Sequence, residues 1–222
     1  MFKIKFMKKS YSILVFCILM LNQLTIGQII SEKKSIDKEF TSIEEALKQP
    51  EKVYRLNLSN QKLDVKSDVW SKFINLKYLN LSNDNLKIIP AEIGNLKNLE
   101  ILDLSGNDFR VLPSEFIKLS KLEEIYLNDE KNMNITESFE VLKKLPSLKS
   151  LHLEYDKISK LPNSITDLKN LENLYLNHNK LSNIPKQLEG MDHLQFLDLN
   201  DNKIKPVIMQ QENLNFGFKI HF

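Results

Sequence analysis

Apolar residues recur along the chain in the pattern L-x-x-L-x-L, which begins at Val53, Leu76, Leu99, Leu122, Leu148, Leu171 and Leu194. The steps between these starts are 23, 23, 23, 26, 23 and 23 residues. Within each period positions 1, 4 and 6 are apolar, and alternation of this kind predicts a short strand with one buried face. Position 11 is apolar again, as Leu63, Leu86, Phe109, Ile135, Ile158, Leu181 and Ile204, with three extra residues in the fourth period. Four periods then place an aliphatic residue before proline: Ile89-Pro90, Leu112-Pro113, Leu161-Pro162 and Ile184-Pro185. A last inward pair closes each turn, as in Ile93/Leu96, Phe116/Leu119, Ile165/Leu168 and Leu188/Met191, with Trp70/Phe73 in the first period. Proline has no N–H to donate, so it suits a return arc and would be poor in a central strand.

A fixed step over many periods predicts stacked units, each supplying one strand and one arc. One unit offers about seven inward side chains worth ~1.5–3 kcal/mol each. Ordering its backbone costs ~1–2 kcal/mol per residue. A lone unit therefore does not fold, and stacking on both sides makes the core. One more step from Leu194 reaches Gly217, and Gly217 to Phe222 reads as a closing strand.

On these residues the chain resembles the leucine-rich-repeat superfamily over 53–222, in its 23-residue class with L-P-x-x-I on the outer arc, of a bacterial secreted type. The resemblance implies an α/β fold. It is a leucine-rich-repeat solenoid, a curved horseshoe with a short parallel β-sheet on the concave face and loops or short helices on the convex face. It also implies an asparagine at position 9 that pairs with turn backbone. Asn107, Asn179 and Asn202 fit, Gln61, Asp84 and Asp156 depart, and the fourth period has no clear equivalent. An ionised Asp accepts but cannot donate, so the ladder should be weaker or rearranged there.

The domain reading follows. Residues 1–27 have Lys3 to Lys9, an apolar run from Tyr11 to Leu21, and Thr25-Ile26-Gly27, which together predict a signal peptide. Residues 28–52 form an N-terminal segment with a capping helix. Thr41-Ser-Ile-Glu44 is a capping box, opening a helix through about Lys48 that Pro50 ends. Ile43, Ala46 and Leu47 would cover the first repeat. Seven repeats occupy 53–204, and 205–222 form a C-terminal cap. The fourth repeat carries an insertion at Asp129 to Asn134, and Thr136 to Leu145 reads as a short helix.

Charge and composition then narrow the chemistry. The formal net charge is +2, but four lysines lie in the first nine residues, and the remainder holds 27 basic against 29 acidic residues. That balance lacks the basic footprint of a nucleic-acid binder. Cys17 is the single cysteine, so the chain after the signal segment has no thiol for a disulfide, zinc ligation or nucleophilic attack. His152, His178, His193 and His221 form no zinc-binding pair. Asp198 to Asn202 resembles the start of a calcium loop, but Lys203 stands for the required Gly and Met209 for the bidentate Glu. No catalysis, cofactor or metal is expected.

Positions 3, 5 and 7 should face the concave side. Position 5 reads Asn57, Asn80, Asp103, Tyr126, His152, Tyr175, Asp198 and His221. The candidate partner-binding residues are Tyr78, Asp103, Glu124, Tyr126, His152, Glu154, Tyr155, Tyr175, His178, Phe196 and Asp198. Exposed aromatics supply contact area at low entropy cost. The expectation is a secreted or cell-envelope module gripping a basic or amphipathic protein or peptide, with no membrane insertion after signal cleavage. Two alternatives stand beside it. Tyr and His stack across strands only to stabilise the sheet, or the chain is a structural, self-assembling surface protein using its terminal strand or convex arc.

Overall fold

The structure is a computed structural model that describes residues 37–63, 67–205 and 217–222. The chain divides into a unit 1–38 and a unit 39–222 that carries the repeats. The signal segment lies outside the described residues.

Nine strands are found among the described residues. They are β1 (Glu39–Phe40), β2 (Arg55–Asn57), β3 (Tyr78–Asn80), β4 (Ile101–Asp103), β5 (Glu124–Tyr126), β6 (Ser150–His152), β7 (Asn173–Tyr175), β8 (Phe196–Asp198) and β9 (Lys219–His221). All pair in parallel in chain order within one open sheet. The register puts Leu56, Leu79, Leu102, Ile125, Leu151, Leu174, Leu197 and Ile220 in one column across β2 to β9. The first seven are fully buried. A one-residue slip would turn every such side chain to water, so the 23-residue step specifies the pairing.

Each strand from β2 to β8 is three residues, and the chain turns at position 8. There Asn60, Asn83, Gly106, Asp129, Tyr155, His178 and Asp201 all have φ between 53° and 70°. Position 8 continues the ladder, its N–H donating to the position 7 carbonyl of the next repeat, as in Asp129 to Glu154 at 2.8 Å. Asn, Asp and Gly tolerate this left-handed conformation; other residues lose about 1–2 kcal/mol. Five of the seven positions therefore explain themselves, while Tyr155 and His178 carry strain.

The return arcs follow the prolines. Pro90, Pro113, Pro162 and Pro185 stand directly before 3-10 turns at Ala91–Asn95, Ser114–Lys118, Asn163–Asp167 and Lys186–Gly190. Their inward residues Ile93, Phe116, Ile165 and Leu188 are fully buried. Gly94 is required where arcs touch, since a Cβ there would meet the Glu115 carbonyl oxygen. In the fourth repeat α2 (Ile135–Leu142) replaces the 3-10 turn, capped by Asn134, whose side chain accepts from the Glu137 N–H at 3.2 Å. Phe139 and Leu142 supply the inward pair.

The N-terminal cap differs from the sequence expectation by a residue. Ser42, not Thr41, caps α1 (Ile43–Ala46), accepting from the Glu45 N–H, and the helix stops short of Lys48. Ser42 has the extended backbone a cap needs, φ −132° and ψ 132°. Ala46 is fully buried, and Ile43 and Leu47 pack on the core. β1 adds a strand that the repeat pattern does not announce, pairing Phe40 with Leu56.

Position 9 forms a buried rung between turns. Asn107 Oδ1 accepts from the N–H groups of Asp84 and Leu86, and its Nδ2 donates to the carbonyls of Leu81, Leu104 and Ser105. Asn179 and Asn202 repeat the pattern. The fourth repeat does have an equivalent, contrary to expectation: Glu130, buried, accepts from the Asn107 N–H at 3.4 Å. Asp84 accepts from Gln61 at 2.6 Å and Asp156 from Glu130 at 2.7 Å. The second carboxyl oxygens of Asp84, Glu130 and Asp156 are buried with no partner.

Candidate partner-binding face

β5, β6 and β7 set Tyr126, His152 and Tyr175 at position 5 in adjacent register. Parallel strands lie ~4.8 Å apart, so flat rings at equivalent positions can stack. The Tyr126 and His152 rings are 3.9 Å apart at 17°, and His152 and Tyr175 are 4.1 Å apart at 6°. Phe196 continues the series 5.4 Å from Tyr175, and His221 stands edge-on to Phe196 at 5.0 Å. Five rings thus run across β5 to β9.

Carboxylates hold the centre. Glu124 Oε1 accepts from the Tyr126 hydroxyl at 2.7 Å and stands 3.0 Å from His152 Nε2. Glu154 Oε2 stands 3.5 Å from His152 Nδ1. His152 is 8% exposed. Hydrogen bonding from His152 holds the Glu154 carboxyl below its usual range, despite partial burial. Burial first, then the Glu124 carboxylate, push the Tyr126 hydroxyl well above the normal phenol range. Tyr175 is raised as well, chiefly by burial. The centre is therefore a preorganised stack in which the polar atoms of Tyr126 and His152 are already occupied.

The remaining candidates divide. Asp103 and Asp198 sit at position 5, each with one oxygen accepting from its own turn, at Ser105 and Asn200. Tyr155 and His178 form a separate stack at position 8, 4.2 Å apart at 13°. His178 Nε2 lies 3.3 Å from Asp201. Tyr155 is 52% exposed. Tyr78 is not gathered into the cluster: β4 separates it from β5, and Arg55 lies over its ring at 4.1 Å.

Two features lie outside the expected site residues. Asp129 and Asp201 flank the Tyr155–His178 stack on successive position 8 rungs; the run of Asn, Asp and Gly at position 8 is the signal that marks this shared turn. On the opposite rim, Asn75, Asn98 and Asn170 donate to carbonyls of the preceding arc at Glu51, Ile74 and Pro146. Asparagine at period position 23 is visible in the sequence once the arcs are known to touch. Among the described residues no helix is long and apolar enough to cross a membrane.

Solved structures place this geometry among known solenoids. A leucine-rich-repeat protein of Leptospira interrogans is 28% identical with a TM-score of 0.59, over 76% of this chain and 48% of that one. The plant peptide hormone receptor RGFR1, in complex with RGF2, is 26% identical with a TM-score of 0.52, over 69% of this chain and 25% of that one. The Drosophila Toll–Spatzle complex is 21% identical with a TM-score of 0.62, over 73% of this chain and 22% of that one. The chain thus spans about half or less of the length of each. No curated protein matches it. Residues 52–145 match the family described as leucine-rich repeat region, and 136–181 and 146–204 match that described as leucine rich repeat. With its nine-strand ladder and proline-led arcs, the chain belongs to the leucine-rich-repeat proteins.

Proposed function

We propose that the chain is a non-catalytic, extracytoplasmic binding module that recognises a basic protein or peptide through the concave sheet face. One observation carries this reading. Across β4 to β8, positions 3, 5, 7 and 8 hold Asp103, Glu124, Asp129, Glu154, Asp198 and Asp201, and no lysine or arginine. The cations Arg55 and Lys219 stand at the ends of the sheet. A face of one sign raises the encounter rate and selects partners of the other sign. The row of rings gives that face rigid contact area.

Two further points support the reading. The plant receptor, 26% identical, was solved in complex with RGF2. The N-terminal segment has the three parts of an export signal.

The test uses the chain as bait in extracts of the producing cells and their medium, beside a Tyr126→Ala/Tyr175→Ala variant of confirmed fold. A partner with a basic segment should be held by the parent chain and lost by the variant. A partner held equally by both would move the binding surface elsewhere.

A further inference from the structure

The Tyr155–His178 stack stands apart from the central row of rings, and nothing in the fold calls for it. Position 8 needs a left-handed residue, and Asn60, Asn83, Gly106, Asp129 and Asp201 meet that need with residues suited to it. Tyr155 and His178 adopt the same conformation, φ 63° and 55°, at the cost of strain. Their rings stack on each other, and Tyr155 keeps 52% of its surface in water. Strain of this kind concentrates at functional sites, and here it extends to Lys157, φ 59°, in the same turn.

The surroundings define what would bind. The order along the rim is Asp129, Tyr155, His178, Asp201, one residue per rung. His178 stacks on one face of the half-exposed Tyr155 ring, and the rung on the other side is that of Asp129. A planar cation on that second face would lie against a π-surface on the rung next to a carboxylate. Arginine matches this arrangement better than lysine, because its guanidinium stacks flat and forks onto a carboxylate. The Lys131, Lys157, Lys180 and Lys203 side chains begin two residues further on, outside positions 3 to 8.

We propose that Tyr155, with His178 behind it and Asp129 beside it, is an arginine-binding shelf at the rim of the sheet. The shelf reads one arginine of a basic segment whose remainder lies along the concave face. This deepens the binding reading above by naming the side chain recognised.

The experiment measures hexa-arginine, hexa-lysine and hexa-glutamate peptides by fluorescence anisotropy at low salt, against the parent chain, Tyr155→Asn, Tyr155→Phe and Asp129→Asn. Asparagine is the residue that positions 60 and 83 already use, so Tyr155→Asn keeps the turn. The parent should bind hexa-arginine at least threefold tighter than hexa-lysine and should not bind hexa-glutamate. Tyr155→Asn should weaken hexa-arginine about tenfold with an equal or higher Tm, Asp129→Asn should weaken it several-fold, and Tyr155→Phe should keep most of the affinity. Equal affinity for the two cationic peptides, or an unchanged Kd in Tyr155→Asn, overturns the shelf. A lowered Tm in Tyr155→Asn with unchanged Kd assigns the stack to stability alone. Where either overturning result is found and the Tyr126/Tyr175 variant still loses its captured partner, the concave reading stands and the shelf alone falls.

Discussion

Glu124 and Glu154 stand on the sheet face, while Glu130, buried, and Asp156, half-buried, stand a few residues along the same turns. On the face, Glu154 is held in its charged form by His152, and Glu124 accepts from Tyr126. In the turns, burial pushes Glu130 up to about 9 and Asp156 to about 8, with neighbouring Asp129 adding to both. The two sets of acids therefore do different work near neutral pH. The half-buried set on the face supplies the field a cationic partner would meet. The set in the turns is biased by burial toward its protonated form and stands where other repeats have asparagine.

The asparagine rungs show what a proton would do. In Asn107, Asn179 and Asn202, Nδ2 donates to the position 6 carbonyls that converge on the rung. The second oxygens of Glu130, Asp156 and Asp84 have no partner. A protonated carboxyl regains a donor, and an ionised one leaves its buried second oxygen charged with no donor to it. A folded-state pKa above the unfolded value means that stability is fully present below about pH 4 and is lost as pH rises through the folded value. The windows run to about 6 for Asp84, 8 for Asp156 and 9 for Glu130.

The strongest way to break this comparison is to turn an asparagine rung into an acid rung. Asn107→Asp should cost about 2–4 kcal/mol at pH 8, because two amide donors are lost in a fully buried site. The loss should shrink at pH 4, as read by urea unfolding. The reverse change sharpens the contrast. Glu130→Gln with Asp156→Asn should stabilise the chain by about 1–3 kcal/mol at pH 8 and by little at pH 4. Asp84→Asn should show a smaller gain, complete by about pH 7, since its pKa is raised only to about 6. On the sheet face, Glu124→Gln should change stability by under about 1 kcal/mol, because the site is partly solvated. The same change should weaken capture of a basic partner. A pH-flat stability in the parent chain would remove the distinction between the two sets.

Much of this architecture was legible from the period alone. The column from Leu56 to Leu197, the proline-led arcs and the closing strand at Lys219–His221 all follow from a repeat that must bury one face. So does the stacking of Tyr126, His152 and Tyr175, because identical positions in parallel strands become neighbours. What the pattern hides has physical causes. β1 pairs only two residues and carries no repeat signature. Glu130 was invisible as a rung because its side chain is chemically unlike asparagine until it carries a proton. Tyr78 belongs to the same face by alternation, yet the neighbouring Arg55 occupies its ring. The separation of Tyr155 and His178 from the central row comes from the turn at position 8, where alternation no longer predicts direction.

The central claim is that a cationic partner meets the acidic, ring-lined face of β4 to β8. Amide chemical-shift mapping on an isotope-labelled chain, titrated with hexa-arginine and then with a captured partner, tests it directly. The account predicts shifts concentrated from Ile101 to Asp201 at strand and position 8 residues, with the arcs around Ile88, Val111 and Ile117 unmoved. Shifts confined to those arcs, or to the β9 edge, would contradict it and favour assembly through the convex side or the terminal strand.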